Sequence, residues 1–251
     1  MSMKKFFVTL ILICFSLSCF VMFPACTSTV ELLYEGVEED GEIVAYSVVG
    51  VKNVKSEFDI TIPYAYNDKP VVSIEDSAFK GNELLKSIFI PGTISTIGLN
   101  AFSDCSSLAC ITVDENNARY MSIDGNLYSK ALYNKEWITL IKYSVGKREA
   151  SFSVPKGVLF IDSCSCFYAI YLTDIVIPDS VQEIGALAFA SCTSLKSITI
   201  GKNVGSISIA AFAGCNSLED VYFKGSEEEW ETIHIEENNT CLKEATIHYS
   251  L

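Results

Sequence analysis

The stretch "AFASCTSLKSITIG", residues 188 to 201, returns 23 residues later as "AFAGCNSLEDVYFKG". A self-similar period of this length constrains the fold more than any other feature of the chain. Counting from Phe189, large apolar residues fall at Leu195, Ile198, Ile200, Val204 and Ile207 before Phe212 restarts the series with Leu218, Val221 and Phe223. The same intervals follow Phe102 (Leu108, Ile111, Val113) and Phe79 (Leu85, Ile88, Ile90). Phe167, followed by Leu172, Ile175 and Ile177, reads as a shortened copy that reaches Phe189 after 22 residues.

The early offsets have the spacing of a helical turn, whereas the later ones alternate as a strand does. Each unit is therefore expected to be a short helix or turn followed by a short strand. The strand strings are "DITIP" (59 to 63), "SIFIP" (87 to 91), "CITVD" (110 to 114), "SFSVP" (151 to 155), "DIVIP" (174 to 178), "SITIG" (197 to 201) and "DVYFK" (220 to 224). Most end in Pro or Gly, which stops strand pairing and turns the chain. One unit cannot stand alone, because ordering its backbone costs more than burial of its few large side chains returns. Stacking coil on coil completes the burial and pairs the strands in parallel. The expected fold is an α/β repeat, a solenoid of about 23-residue coils with a parallel sheet.

"AFSDCSSLACITV", "AFASCTSLKSITI" and "AFAGCNSLEDVYF" resemble the BspA-type leucine-rich repeat, whose units read Ala-Phe-x-x-Cys-x-x-Leu-x-x-Ile-x-Ile-Pro. "YNDKPVVSIEDSAF" resembles the opening coil of that family. "NNARYMSIDGNLYSK" with "LIKYSVGK" resembles an insertion often carried between coils, and "YFKGSEEEWETIHI" with "LKEATIHYS" resembles the usual C-terminal cap. The likeness runs from about residue 32 to the end. It implies a leucine-rich repeat solenoid and a bacterial surface or secreted interaction protein, such as an adhesin.

Ahead of this region, "MSMKKFFVTLILICFSLSCFVMFPAC" places Lys4 and Lys5 before an apolar run and a small residue before Cys26, the order of a secretory signal. The run from Phe6 to Pro24 also approaches the length of a membrane anchor. Cys26, preceded by Ala25 and followed by the polar "TSTVE", is a candidate lipid-bearing cysteine, although Phe23 and Pro24 depart from the usual lipobox. The resulting organisation is a signal at 1–25, a tether at 26–31 and an N-terminal cap at 32–57 with a hairpin around Asp40 and Gly41. Coils then occupy 58–113, a β insertion 114–150, further coils 151–224 and a C-terminal cap 225–251, in which Ser226 starts a short helix and "ATIHY" forms a final strand.

A net charge of −13, or −15 without Lys4 and Lys5, leaves no basic footprint for nucleic acid. The acidic clusters "EEDGE" (38 to 42) and "EEEWE" (227 to 231) lack the spaced loop of an EF-hand and read as solvated turn and helix-start charges. Of the ten cysteines, Cys105, Cys192 and Cys215 fall three residues after a repeat Phe, where the shortened unit carries Ile170. An aliphatic equivalent indicates buried free thiols rather than bridges; Cys164 and Cys166 stay ambiguous between the two. No C-x-x-C pair is present and His234 and His248 lie far from the repeat thiols, so no metal site and no cofactor is expected.

No nucleophile elbow, zinc-protease helix or phosphate loop is present, so no enzymatic activity is expected. Glu183, Asp162 and Asp174 are the carboxylates left for a glycan-active alternative. The outward residues of the strand strings, Thr61, Phe89, Thr112, Ser153, Val176, Thr199 and Tyr222, are expected to align as one column, with Phe89 and Tyr222 as anchors for an extracellular protein or glycan. A spacer module without a specific ligand is the competing class. Membrane attachment is expected only through Cys26.

Overall fold

The computed structural model describes residues 8–9, 30–130 and 138–250. Apart from Val8–Thr9, which pair with Leu33 and Tyr34, the expected targeting segment and Cys26 lie outside the described residues.

The chain winds as a solenoid whose coils contribute to two parallel sheets on opposite sides of the core. The first holds the strings read from the sequence. It occurs in two pieces, a three-stranded one (Phe58–Thr61, Leu85–Ile90, Cys110–Val113) and a five-stranded one (Ser151–Ser153, Asp174–Val176, Ser197–Ile200, Asp220–Phe223, Thr246–Tyr249). The second sheet follows the Pro or Gly turn of each coil through short strands such as Glu183–Ile184, Ser206–Ile207 and His234–Ile235. Two-residue strands of this kind are too short to show an alternation in the sequence.

The Phe-containing segment closes the third side of each coil, as a turn and not a helix. Two residues in each turn adopt left-handed backbone, four apart: Leu187 and Ser191, Cys164 and Tyr168, Asn100 and Asp104. These positions unwind the helical course and send alternate amides along the solenoid axis. Leu187, Phe189 and Ser191 thus donate to the carbonyls of Ile209, Ala211 and Ala213 in the following coil, at 3.2, 2.8 and 2.7 Å.

This ladder corrects the reading of the unit around Phe167. Cys166 donates to Ala188 as Phe189 does to Ala211, so Cys166 occupies the Phe position and Ala169, not Ile170, the Cys position. The unit keeps the full 23-residue period, as the paired strands also show, Ile175 facing Ile198. Cys166 is fully buried while Phe167 is half-exposed. The bulkier side chain drew the alignment away from the Leu172, Ile175 and Ile177 intervals, which fit Cys166 without a gap.

Cys105, Cys192 and Cys215 are buried and free, as are their partly or fully buried neighbours Cys164 and Cys166. The three repeat thiols also donate along the axis, to the carbonyls of Phe79, Cys166 and Phe189 at 3.1, 3.3 and 3.1 Å. The position therefore uses a small apolar body that carries a weak donor. Burial pushes the Cys105 thiol up to about 11 and that of Cys166 up to about 12, which suppresses the reactive thiolate. Treatment of the native protein with an aromatic disulfide at pH 8, mapped by mass spectrometry, is expected to label Cys110, Cys164 and Cys241 and to spare Cys105, Cys166, Cys192 and Cys215 until unfolding. Labelling of Cys105 or Cys215 at the rate of Cys110 would contradict the ladder.

Residues 31–52 form a hairpin with left-handed Asp40 and Gly41 at its tip, and its second strand pairs in parallel with Lys69–Ile74. The segment after Val113 is more than a decoration. Tyr120–Ile123 and Asn126–Lys130 form a hairpin, Ile138–Lys142 adds to it, and the same strand then pairs in parallel with Val158–Ile161. Among the described residues two hydrophobic cores result. Leu127 belongs to the N-terminal one and its neighbour Tyr128 to the C-terminal one, so the alternation of a single strand makes it a wall between them.

At the far end, Ser226 accepts from the Glu229 amide while the Glu229 carboxylate accepts from the Ser226 amide, a capping box that starts the helix Glu227–Glu231. Asn239, fully buried, stands in for another coil: its Oδ1 accepts from the Phe212 amide at 3.0 Å and its Nδ2 donates to the Ser208 carbonyl at 3.0 Å.

Candidate functional site

The outward residues of the first sheet form rows because each strand pairs in register with the next. Ser153 faces Val176, Val176 faces Thr199, and Thr199 faces Tyr222. Thr61, Phe89 and Thr112 align likewise in the three-stranded piece. The expected single column of seven is therefore two rows. Between them the insertion takes the edge of Cys110–Val113, the Ile111 amide donating to Gly125 at 2.8 Å and that of Gly146 to Leu108 at 2.8 Å. Phe89 and Tyr222, the two expected anchors, lie on different pieces.

The longer row gains a member absent from the sequence reading. Tyr222 pairs with His248 of the last strand, and their rings stack at 4.7 Å with 15° between planes. The Nε2 of His248 lies 2.6 Å from Oδ1 of Asp220, which fixes the imidazole over the phenol. The signal was the match of "TIHY" to "DVYF", each alternating about a β-branched residue that faces the core, Val221 fully buried and Ile247 partly. Ser153, Val176, Tyr222 and His248 are exposed and Thr199 half-exposed.

A second outward row runs beside it: Ser151, Asp174, Ser197, Asp220 and Thr246. Its carboxylates are held by neighbours. Ser197 Oγ and Thr173 Oγ1 each donate to Asp174 at 2.6 Å, and these bonds hold its carboxyl below the usual range. Ser87 donates in the same way to Asp59 at 2.6 Å. The face is thus a stripe of hydroxyl, aliphatic and ring groups flanked by carboxylates oriented by hydrogen bonds. Asp174 does not meet the other two carboxylates singled out in the sequence, since Glu183 lies on the second sheet and Asp162 just beyond the Val158–Ile161 strand of that sheet.

Among the described residues, two of the clefts lie where the coils are interrupted. One, of about 470 Å³, is lined by Glu57, Lys86, Ser107, Arg148, Tyr168 and Tyr171; Arg148 lies over the Tyr171 ring at 5.5 Å. The other, of about 390 Å³, lies between the turns at 97–103 and 162–164.

The sequence profile described as BspA type Leucine rich repeat region matches residues 58–139 and 149–251, in six copies. The chain belongs to the BspA-type leucine-rich repeat family. Among solved structures, a leucine-rich repeat protein from Eubacterium ventriosum shares 23% identity over 78% of this chain and 55% of its own, with a TM-score of 0.56. A leucine rich cell surface protein from Faecalibacterium prausnitzii shares 19% over 80% of this chain and 96% of its own, with a TM-score of 0.43. Among curated proteins none matches. For this BspA-type chain the family match and the likeness to the Eubacterium ventriosum protein establish the leucine-rich repeat fold.

Proposed function

We propose that this BspA-type protein is a non-catalytic recognition module of the bacterial exterior, which holds an extended protein or glycan along the row Ser153, Val176, Thr199, Tyr222 and His248. The observation that carries the reading is the Tyr222–His248 stack at the end of that row, a flat aromatic surface exposed to solvent yet fixed by Asp220. Exposed rings with little freedom left to lose make efficient anchors. In-register side chains repeated strand after strand fit an extended partner better than a compact one. Attachment to the membrane through lipid on Cys26 belongs to the same reading.

The test is binding of the purified protein to arrays of extracellular-matrix proteins and glycans. For a ligand so found, Tyr222→Ser is expected to weaken binding by about tenfold or more, with circular dichroism unchanged, while Phe89→Ser measures any share of the shorter row. Retention of full affinity by both variants would place the site off the strand face. Metabolic labelling with a fatty acid is expected to mark the wild type and not Cys26→Ala; equal labelling of the two, or none, refutes the anchor.

A further inference from the structure

In the regular coils the amide of the repeat Phe, and that of the residue two before it, donate to carbonyls of the next turn. Ser77 and Phe79 donate to Leu99 and Ala101, Cys164 and Cys166 to Ala186 and Ala188, Leu187 and Phe189 to Ile209 and Ala211. Even at the C-terminal end, Ala210 and Phe212 find Glu237 and the Asn239 side chain. The corresponding amides of Asn100 and Phe102 are different. The Phe position of the coil that follows is held by Tyr143, whose amide keeps the ladder by donating to the Ser165 carbonyl at 2.9 Å as Cys166 does to Ala188, but neither amide of the preceding turn reaches a carbonyl of that coil. Among the described residues the amides of Asn100 and Phe102 have no partner; Asn100 is exposed, but Phe102 is buried, and buried amides are almost always paired.

The space left is the cleft of about 390 Å³. Asn100 and Phe102 form one side, Asp162, Ser163 and Cys164 the other, and Lys142 is part of its lining. Lys142 is 6% exposed, and its ammonium makes one long bond, 3.5 Å, to the Cys164 carbonyl. Among the described residues it has no carboxylate partner. Lysines are rarely buried to this degree without one. The wall also includes apolar Ile97, Ile141 and Leu99, the last 76% exposed, together with polar Ser103 and Tyr120. A buried cation and two unpaired amides that line the same partly apolar cleft complement a single negative group on an apolar body.

We infer that this cleft is a binding site for a small organic acid, whose carboxylate is held by Lys142 and the amides of Asn100 and Phe102 while its apolar part lies against Ile97, Leu99 and Ile141. The site is separate from the strand face and does not depend on it. Burial holds the Lys142 amine below the ordinary lysine range, with the thiols of Cys166, Cys105 and Cys164 and the carboxylate of Asp104 acting the other way. Asp162, which also lines the cleft, is exposed and its carboxylate accepts from the Ser163 amide. A bound carboxylate restores the favourable setting of the ammonium. Binding therefore takes up protons in the interval between the lowered value and the ordinary one, and affinity falls as pH rises through that interval.

The test is isothermal titration of the full chain with octanoate and with its neutral isostere octanamide, at several pH values and in buffers of different ionisation enthalpy. Octanoate is expected to bind saturably, about tenfold or more tighter than octanamide, as charge-assisted hydrogen bonds require. Its affinity is expected to fall toward high pH with measurable proton uptake. Lys142→Met, which replaces the buried amine by a side chain of similar reach, is expected to keep the circular dichroism spectrum and to abolish the preference for octanoate over octanamide. Tyr222→Ser is expected to bind octanoate as the wild type does, so a failed strand face and a failed cleft are told apart. No saturable octanoate binding by the folded wild type, equal affinity for octanamide, or an unchanged preference in Lys142→Met overturns the proposal. Should Lys142→Met not fold, the octanamide comparison and the proton uptake of the wild type decide alone.

Discussion

Phe189→Ala is expected to destabilise the protein by about 3–5 kcal/mol, the range for emptying a large aromatic site in a close-packed core. Phe189 is 0% exposed and stacks on Phe212 of the next coil at 5.3 Å with 20° between rings. On its other side the position is held by Cys166, also at 0%, so no flexible neighbour can move into the void. In a solenoid each coil is stabilised mainly by its two neighbours, and the loss is felt on both. Phe167→Ala is the control. Its ring is half-exposed and outside the ladder, and its removal is expected to cost less than about 1 kcal/mol. Urea unfolding of the two variants checks both the magnitude and the register; equal losses would restore Phe167 to the repeat and refute the assignment of Cys166.

Gly146→Ala is expected to weaken the joint between the two cores. A Cβ on Gly146 would stand 2.3 Å from the carbonyl oxygen of Ser107 and 2.4 Å from its carbon, contacts with backbone that no rotamer can relieve. The same residue donates its amide to Leu108 at 2.8 Å, so the turn Val145–Lys147 must withdraw from the N-terminal coils to make room. Overpacking of this kind costs about 1–3 kcal/mol. Because the strain falls where the cores abut, the unfolding transition is expected to broaden, with a smaller dependence on urea, as the halves cease to unfold together. A midpoint and slope equal to those of the wild type would show that the contact at Gly146 does not couple them.

The strand strings were legible because a buried large apolar residue every second position, repeated at 23 residues, admits one stacking arrangement. The thiols were legible for a related reason: a residue type that recurs at one offset in a packed ladder reports the shape of its slot. The Phe167 misreading shows the limit of that logic. One conspicuous side chain outweighed three quieter intervals, and only the pairing of amides with carbonyls identified Cys166. The candidate site was half legible. Val176, Thr199 and Tyr222 fall on one row as their alternation requires, but His248 joined them only through strand pairing, and Phe89 was separated from them by a segment whose course no periodicity encodes.

The sequence by itself determined the period, the inward and outward faces of each strand and the parallel stacking, because these follow from local alternation repeated at a constant interval. Only the tertiary structure decided where the stacking stops. The insertion has no period to be read; its strands find partners far along the chain, and it divides both the core and the outer row. Lys142 illustrates the reason. In the sequence it is one lysine at the end of "TLIK", and its burial beside unpaired amides arises from coils that are brought together, or kept apart, by residues remote from it.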